Sequence, residues 1–312
     1  HRYIKFWVEE CGKSLNEVLP AGDMGVDKQA VHLFISWAAG KYKYNTILST
    51  ISALTDWHKA KGIGYEALNC RETKDLLHTI QVQQGPAGIP SGKTGLTRAM
   101  LRLLLNHLHN SRSANPAMSE LYLRDMCFIL LGYFGMLRRS EIIALQMRDI
   151  HVGQQQGRSF VELTIRKSKT DQRGAGATVT ISGVTKDGIK VAHLLQEWLQ
   201  VRARRNPSSE DALFTTWNLN SYEPSNTPIS TGEALARRLK IYLTELLAKY
   251  PNINVNPASY GMHSLRRGGV MAAWLAGVDL EKIKAHGRWR SDAIKAYMNT
   301  TRQMRLVVTN NM

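Results

Sequence analysis

The string His263-Ser-Leu-Arg-Arg267 brings together two side chains that could act on a phosphate group. His263 and Arg266 are three residues apart, so on a helix they share one face. A guanidinium can bind an anion through parallel hydrogen bonds, and an imidazole with a near-neutral pKa can accept and return protons. The pair is consistent with an anion site that also moves protons, although a His near an Arg, taken alone, is usually incidental.

A second string, Ala285-His-Gly-Arg-Trp-Arg-Ser-Asp-Ala-Ile-Lys-Ala-Tyr297, ends on a tyrosine whose phenol could act as a nucleophile. Tyr297 follows Trp289 by eight residues and has Ile294 as an apolar neighbour. A tyrosine at such a spacing belongs more often to a core or an interface than to a reaction centre. The string therefore gains meaning only when it is read together with the other candidate groups.

Arg138, in Gly135-Met-Leu-Arg-Arg-Ser-Glu-Ile-Ile-Ala-Leu145, lies between two stretches that are predicted to be helical. A guanidinium at a helix junction is held by rigid backbone, as the clamping of a phosphate requires. The plainer interpretation is a surface ion pair between Arg138 and Glu141, at i and i+3 of one helix. Taken alone, the ion pair is favoured, and both interpretations stay open at this point.

The string Ala87-Gly-Ile-Pro-Ser-Gly-Lys-Thr94 satisfies a loose form of the phosphate-binding loop of ATPases. Its context opposes that function, because no convincing buried strand precedes it and no later apolar strand ends in a magnesium-binding Asp. A flexible linker is favoured instead. The three cysteines, Cys11, Cys70 and Cys127, form no CxxC pair, so neither a zinc site nor a disulfide framework is indicated, and a reducing, intracellular compartment is expected.

The overall charge indicates a polyanionic partner. The chain of 312 residues has 41 Lys and Arg against 25 Asp and Glu, a formal net charge of +16. Membrane surfaces are anionic too, but the longest apolar run, from Met126 to Met136, is too short to span a bilayer. Nucleic acid is therefore favoured over a membrane.

These side chains must be positioned by a framework that the apolar periodicity predicts to be mainly α-helical with one small antiparallel β-sheet. Helical spacing runs from Lys28 to Gly62, where Gly62 resembles a C-cap, and on to about Ile80. The Gly- and Pro-rich segment 85–95 is typical of a linker. We therefore predict domains at 1–84 and 96–312.

The second domain combines helices with a hairpin. Leu265, Ala272 and Leu275 are predicted to form the core-facing stripe of its last long helix. The predicted elements are helices at Leu96–Leu108 and Leu121–Tyr133, a hairpin of Val161–Ile165 with Thr178–Ile181, and helices at Gly188–Arg205, Thr231–Lys249 and His263–Ala276.

Read jointly and in order, these features resemble the tyrosine recombinases, also called phage integrases. That family has an Arg with a downstream Glu, a Lys on a β-hairpin, His-x-x-Arg, a His or Trp, and then the Tyr. The resemblance spans about Leu96 to Tyr297, and its last string looks most like the Cre-like recombinases of eukaryotic mobile elements. The matching residues are Arg138 with Glu141, Lys169, His263 with Arg266, Trp289 and Tyr297.

The resemblance implies a clamp of two domains around duplex DNA: a helical, SAM-like core-binding domain at 1–84 and a mixed catalytic domain at 96–312. It implies strand cleavage through a 3′-phosphotyrosine at Tyr297, without metal, ATP or any other cofactor. In the roles that follow from it, Arg138 and Arg266 bind the phosphate, His263 takes the phenol proton, Lys169 protonates the leaving oxygen, and Trp289 packs against the pocket.

The resemblance also implies double-stranded DNA as the partner, a homo-tetramer on two DNA sites, and no membrane. It places the protein in the nucleus of a eukaryote, or otherwise in the cytoplasm or nucleoid. Relaxation of supercoils, resolution of hairpin ends, and a non-catalytic DNA-binding protein that keeps the fold are the alternatives.

Three assignments stay open within this pattern. Lys167 competes with Lys169, since at i and i+2 they would share one face of a strand, and Lys169 is preferred from its neighbours. His286 stands eleven residues before Tyr297, whereas bacterial members have a His nine residues before the Tyr; it is given a supporting role, as is Arg267.

Overall fold

The computed structural model describes residues 1–14, 26–85, 94–168, 174–253, 255–289 and 292–297. Contacts divide the chain into two compact units, His1–Ser91 and Gly92–Met312. Most of the predicted linker, 86–93, lies outside the described residues, and so does all but Thr94 of the string that resembles a phosphate-binding loop. Within the described residues, no helix is long and apolar enough to cross a membrane.

The first unit is helical, as its apolar periodicity predicts. The Asp27 carboxylate accepts a hydrogen bond from the Ala30 backbone N–H at 3.0 Å and so begins the second helix. Gly62 ends the third helix in the left-handed region, with φ of 68°, which confirms the predicted C-cap. The helices are α1 (Arg2–Lys5), α2 (Lys28–Lys41), α3 (Tyr44–Lys61), α4 (Glu66–Asn69) and α5 (Arg71–Gln83), with a π-helical turn at Phe6–Glu10.

The core of the first unit is rich in aromatic rings. Phe6 and Phe34 lie at its centre, with ring centroids 5.8 Å apart, and Trp37 packs against both. Edge-to-face and tilted ring contacts of this kind stabilise a small core beyond the burial of apolar area. The unit therefore has a hydrophobic core of its own.

The second unit is built around one buried helix. In α7 (Ser119–Phe134), every residue from Leu121 to Tyr133 except Tyr122 is buried, as its nearly continuous apolar sequence predicts. Helices of this unit are α6 (Arg98–Ala114), α7 (Ser119–Phe134), α8 (Arg139–Ile143), α9 (Val191–Ala203), α10 (Gly232–Lys249), α11 (Met262–Leu275) and α12 (Leu280–Gly287); short 3-10 turns lie at Pro116–Met118, Met147–Asp149, Pro257–Ser259 and Asp292–Tyr297.

The predicted hairpin is present and belongs to a three-stranded antiparallel sheet. The strands β1 (Ile150–Gln155), β2 (Arg158–Ile165) and β3 (Ala177–Ser182) lie in the order β1-β2-β3. Leu163 pairs with Val179, and both side chains are buried, whereas the alternate residue Glu162 is exposed. The alternation of apolar and polar residues thus fixes which face of the sheet meets the helices.

The prediction of a single sheet was wrong, because β4 (Thr215–Asn218) and β5 (Glu223–Pro228) form a second antiparallel pair. These strands have few apolar residues, so periodicity does not reveal them. Tertiary contacts hold β4 instead: buried Arg124 donates to the Thr215 carbonyl at 2.9 Å, and Arg202 donates to the Thr215 hydroxyl at 3.3 Å.

The last helices carry the candidate residues. Asp279 caps α12 by accepting from the Glu281 backbone N–H at 3.0 Å, and Ile283 of this helix packs in a small hydrophobic cluster with Met136, Val270 and Ile294. The stripe predicted along α11 is correct at Leu265, which is buried. It is wrong at Leu275, which is 58% exposed because α11 ends there, beyond the core.

Candidate active site

Arg138 lies at the junction of α7 and α8, as predicted, and its pairing with Glu141 is present too. The Arg138 backbone N–H donates to Glu141 Oε2 at 2.7 Å, and its Nη1 donates to Oε1 at 2.7 Å. The pair does not lie on the surface, however, because the Glu141 side chain is only 1% exposed. The surface interpretation was therefore wrong: Glu141 is a buried carboxylate that fixes the direction of Arg138.

Arg266 is almost fully buried on α11. Its Nη1 donates to the carbonyl of Met136, its Nη2 donates to the Gly287 carbonyl at 2.8 Å, and its Nη1 lies 4.0 Å from Glu141 Oε2. Burial, followed by the charge of Arg138, lowers its pKa to about 9, so it remains a cation at neutral pH. Within the described residues its Nε has no hydrogen-bond partner, which leaves one donor unused.

Trp289 and Tyr297 pack onto this arginine and onto His263. The Arg266 guanidinium lies 3.8 Å from the centroid of the Trp289 ring, a cation–π contact. The Tyr297 ring centroid is 5.5 Å from that of Trp289 and 5.1 Å from that of His263. Residues from α11, from the segment after α12, and from the 3-10 turn at Asp292–Tyr297 therefore meet at one place.

His263 lies in the first turn of α11 and is exposed to solvent. The protein displaces part of the water around the ring, and this partial desolvation, followed by the charge of Arg266, lowers its pKa below the ordinary value, because both disfavour the imidazolium. The ring is accordingly neutral at pH 7. A neutral imidazole beside the Tyr297 ring can accept a proton.

Arg288 is a member of this group that the sequence did not single out. Its Nη2 donates to Glu141 Oε2 at 2.7 Å, so three arginines surround one carboxylate. Burial opposes the ionisation of Glu141, but the charge of Arg288 and the hydrogen bonds from Arg138 outweigh it and hold the pKa of Glu141 below its usual value. One signal was available: Arg288 stands nine residues before Tyr297.

The two supporting residues, His286 and Arg267, lie beside the group rather than in it. His286 Nε2 bonds to the Phe134 carbonyl at 2.7 Å, and burial lowers its pKa. Arg267 is buried, and both residues line an apolar cleft of about 1240 Å³ that Tyr133 also lines. Neither His263 nor Tyr297 lines this cleft, so the large cavity and the candidate chemistry are separate.

Lys169 lies outside the described residues, so its predicted position on a hairpin stays a prediction. Strand β2 ends at Ile165, so Lys167 is not on a strand, and the argument that it shares a strand face with Lys169 was wrong. Lys167 is exposed. In the part of the chain that the structure describes, no cluster of three or more His, Cys, Asp or Glu could hold a metal ion.

A mainly helical unit with two small antiparallel sheets, and with arginines, a histidine and a tyrosine at one place, has the form of a tyrosine recombinase. The family model "Phage integrase family" matches residues 96–303, which is more than half of the chain. The chain belongs to this family.

Known relatives agree with this assignment. The chain is 21% identical over 271 residues to "Integrase/recombinase xerD homolog" of Selenomonas ruminantium, covering 86% of this chain and 72% of that protein. It resembles the XerH site-specific recombinase bound to palindromic difH substrate in a post-cleavage complex, with a TM-score of 0.57 and 16% identity over 100% of this chain and 76% of that chain.

A transposon enzyme has a similar structure. The Tn1549 transposon integrase in complex with circular intermediate DNA gives a TM-score of 0.55 and 15% identity, over 99% of this chain and 97% of that chain. At such low identity the structural likenesses show the fold alone.

Proposed function

We propose that this protein is a site-specific DNA recombinase that cleaves and rejoins DNA strands through a 3′-phosphotyrosine at Tyr297. The observation that carries the proposal is the meeting of Tyr297 with His263, at 5.1 Å between ring centroids, beside the Arg266–Trp289 contact. A nucleophile, a neutral proton acceptor and a buried cation are the groups that transfer of a phosphodiester to a phenol needs.

Cleavage begins when Tyr297 Oη attacks the phosphorus. The phenol proton passes to His263, the bond from phosphorus to the 5′ oxygen breaks, and Lys169 gives that oxygen a proton. The transition state carries extra negative charge on the phosphoryl oxygens. Arg138 and Arg266 stabilise this charge.

Rejoining reverses this sequence. A 5′ hydroxyl attacks the phosphotyrosine and gives its proton back to Lys169, the bond from phosphorus to Tyr297 Oη breaks, and the phenol recovers a proton from His263. Because the phosphotyrosine keeps the energy of the original phosphodiester, the exchange needs neither a nucleotide nor a metal ion.

The proposed substrate is double-stranded DNA. The net charge of +16 favours a polyanion. Two proteins of similar fold are bound to DNA, one to difH substrate and one to circular intermediate DNA of a transposon. By analogy we propose that this protein serves a mobile element and acts as a homo-tetramer on two sites. The unit before the linker, 1–84, is proposed as the core-binding domain.

Trapping on a suicide substrate tests the proposal. A duplex with a nick just downstream of the scissile phosphate loses a short strand after cleavage, so the covalent complex accumulates. We expect one protein chain attached to a 3′ phosphate, with a free 5′ hydroxyl on the released strand. Attachment at a 5′ phosphate, or no attachment to any cognate site, would refute the mechanism.

A further inference from the structure

Arg288 ends α12 in a backbone conformation that is unusual for a residue with a side chain. Its φ is 61° and its ψ is 41°, in the left-handed region, and its backbone N–H donates to the Ala285 carbonyl at 3.0 Å. That region is disfavoured for L-residues with a Cβ, so glycine or asparagine is more common at such a position. Contacts of the arginine side chain are therefore expected to compensate for the disfavoured backbone conformation.

The side chain joins two segments of the site. Besides its 2.7 Å bond to Glu141, Arg288 Nη1 donates to the His286 carbonyl at 3.1 Å and approaches the Gly135 carbonyl at 3.4 Å. It is thus bonded both to the end of α12, which leads to Trp289, and to the junction that carries Arg138. With 10% exposure the side chain is nearly enclosed, so these bonds are shielded from water.

The Glu141 carboxylate links Arg288 to Arg138 and lies close to Arg266. Its Oε2 accepts from Arg288 and from the Arg138 backbone, whereas its Oε1 accepts from Arg138 Nη1. Arg266 Nη1 stays 4.0 Å from Oε2, too far for a hydrogen bond. Arg288, and not Arg266, therefore donates to Oε2, whereas Arg266 Nη1 donates to the Met136 carbonyl.

We propose that Arg288 is a positioning residue for strand cleavage. Its hydrogen bond to the Glu141 carboxylate keeps Arg138 oriented and leaves Arg266 directed toward the scissile phosphate. The inference rests on the proposed function. Without Arg288, Oε2 loses one of its donors, and the nearest cation outside its present partners is Arg266, whose Nη1 lies 4.0 Å away. An arginine that pairs with Glu141 is no longer a full donor to the phosphate, so cleavage slows while the outer contacts to DNA remain.

A double-mutant cycle tests this role, with single-turnover cleavage of the nicked duplex as the readout. Arg288→Gly removes the side chain and suits the left-handed backbone, so it adds no strain. Glu141→Gln keeps the shape of its residue and removes the charge. In the wild-type background Arg288→Gly should slow cleavage roughly 10- to 100-fold, within the usual range for coupled pairs. In the Glu141→Gln background, Arg288→Gly should change the cleavage rate less than about threefold, since Arg288 then has no carboxylate to bind.

Two controls separate positioning from stability and from general charge. Non-covalent binding to the duplex should stay within about threefold of wild type in the Arg288→Gly protein, because the arginine does not touch DNA in this proposal. Arg204→Ala removes an exposed arginine that pairs with Glu120 in the same unit, and should leave cleavage unchanged within about twofold.

Each other outcome counts against the proposal. An equal loss on Arg288→Gly in both backgrounds would mean that Arg288 acts without Glu141, and parallel losses of binding and cleavage would make it an ordinary DNA contact. Should Glu141→Gln not fold, Arg288→Lys decides: a lysine that occupies the carboxylate should cleave faster than Arg288→Gly, and no recovery overturns the inference. Failure of the wild-type protein to form an adduct would instead refute the proposed function, and the inference with it.

Discussion

The Arg266 guanidinium lies 3.8 Å from the centroid of the Trp289 ring. The indole of Trp289 also packs directly against the backbone of Gly287. A Cβ built on Gly287 would overlap the indole, so only glycine lets the ring fold back over its own chain. The same indole makes an edge contact with Tyr297. The Trp289 side chain therefore contacts both the Arg266 cation and the proposed nucleophile, Tyr297.

The first prediction concerns this indole. Trp289→Ala removes a cation–π contact and an aromatic pair, together about 1–3 kcal/mol, and should slow cleavage about 10- to 100-fold. Trp289→Phe keeps an aromatic face for Arg266 and an edge for Tyr297, so it should retain at least about a tenth of the wild-type rate. Single-turnover cleavage measures both. Equal losses for Ala and Phe would show that the indole N–H, rather than the ring, is what matters.

The second prediction concerns the two arginines. Arg138→Ala and Arg266→Ala should each slow cleavage about 10²- to 10³-fold, because each removes a donor aimed at charge that develops in the transition state. Binding to DNA should weaken far less, as a gel-shift titration beside the cleavage assay would show. Arg204→Ala serves again as the charge-matched control. Losses of the same size in binding and in cleavage would mark both arginines as backbone contacts.

The third prediction concerns pH. His263 must be neutral to accept the phenol proton, and its pKa is lowered by the loss of water and by Arg266. The cleavage rate should therefore be level near pH 7 and fall only as the pH drops through a value below about 6.5, the ordinary pKa of histidine. In an Arg266→Lys protein the positive charge remains and the midpoint should stay low. A midpoint above 6.5 in the wild type would contradict the electrostatics of the site.

Much of the fold follows from local patterns, but the second sheet does not. Apolar spacing predicts α7 and the β2–β3 hairpin because their own side chains build the core. The strands β4 and β5 have no such pattern: Arg124 and Arg202 hold β4 through Thr215, and β5 pairs with β4. The contact of Arg124 with Thr215 joins residues 91 positions apart, so no local window of the sequence contains it.

The sequence likewise predicts most residues of the site but not all of them. The ordered motifs pick out Arg138, His263, Arg266, Trp289 and Tyr297, and the described structure brings these five residues into one region. Arg288 is harder to predict because an arginine stands on either side of Trp289, and only the nine-residue spacing to Tyr297 distinguishes the one that bonds to Glu141. Its pairing depends on a left-handed turn after α12, which is visible only once the chain is folded.

The fourth prediction concerns salt. Lysines and arginines that neutralise phosphates release condensed counterions, so affinity for DNA falls as salt rises. If about six phosphates are neutralised, a plot of log K against log salt concentration should have a slope near −5. Fluorescence anisotropy with a labelled duplex between 50 and 300 mM salt, roughly, would give this slope. A slope shallower than about −2 would contradict an extensive contact with duplex DNA.

The last prediction concerns the nucleophile and has a matched control in Tyr260. Tyr297→Phe keeps the ring contacts with His263 and Trp289 but loses the hydroxyl, so it should abolish the covalent adduct while non-covalent DNA binding persists. Tyr260 lies three residues before His263, yet it is buried and its hydroxyl donates to Met100 Sδ at 3.7 Å. Tyr260→Phe should therefore leave the adduct intact.

Both variants are best compared in buffer that contains EDTA and no nucleotide, since the proposed chemistry uses only the side chains of the protein and the energy of the phosphodiester. Denaturing gels of labelled suicide substrate would show the wild type and Tyr260→Phe shifted to a protein–DNA band, and Tyr297→Phe unshifted. Peptide mapping of the wild-type adduct should place the nucleotide on Tyr297. An adduct in the Tyr297→Phe protein would assign the nucleophile to another residue, and cleavage by the wild type only with magnesium would mean that a metal ion, rather than the arginines, stabilises the transition state.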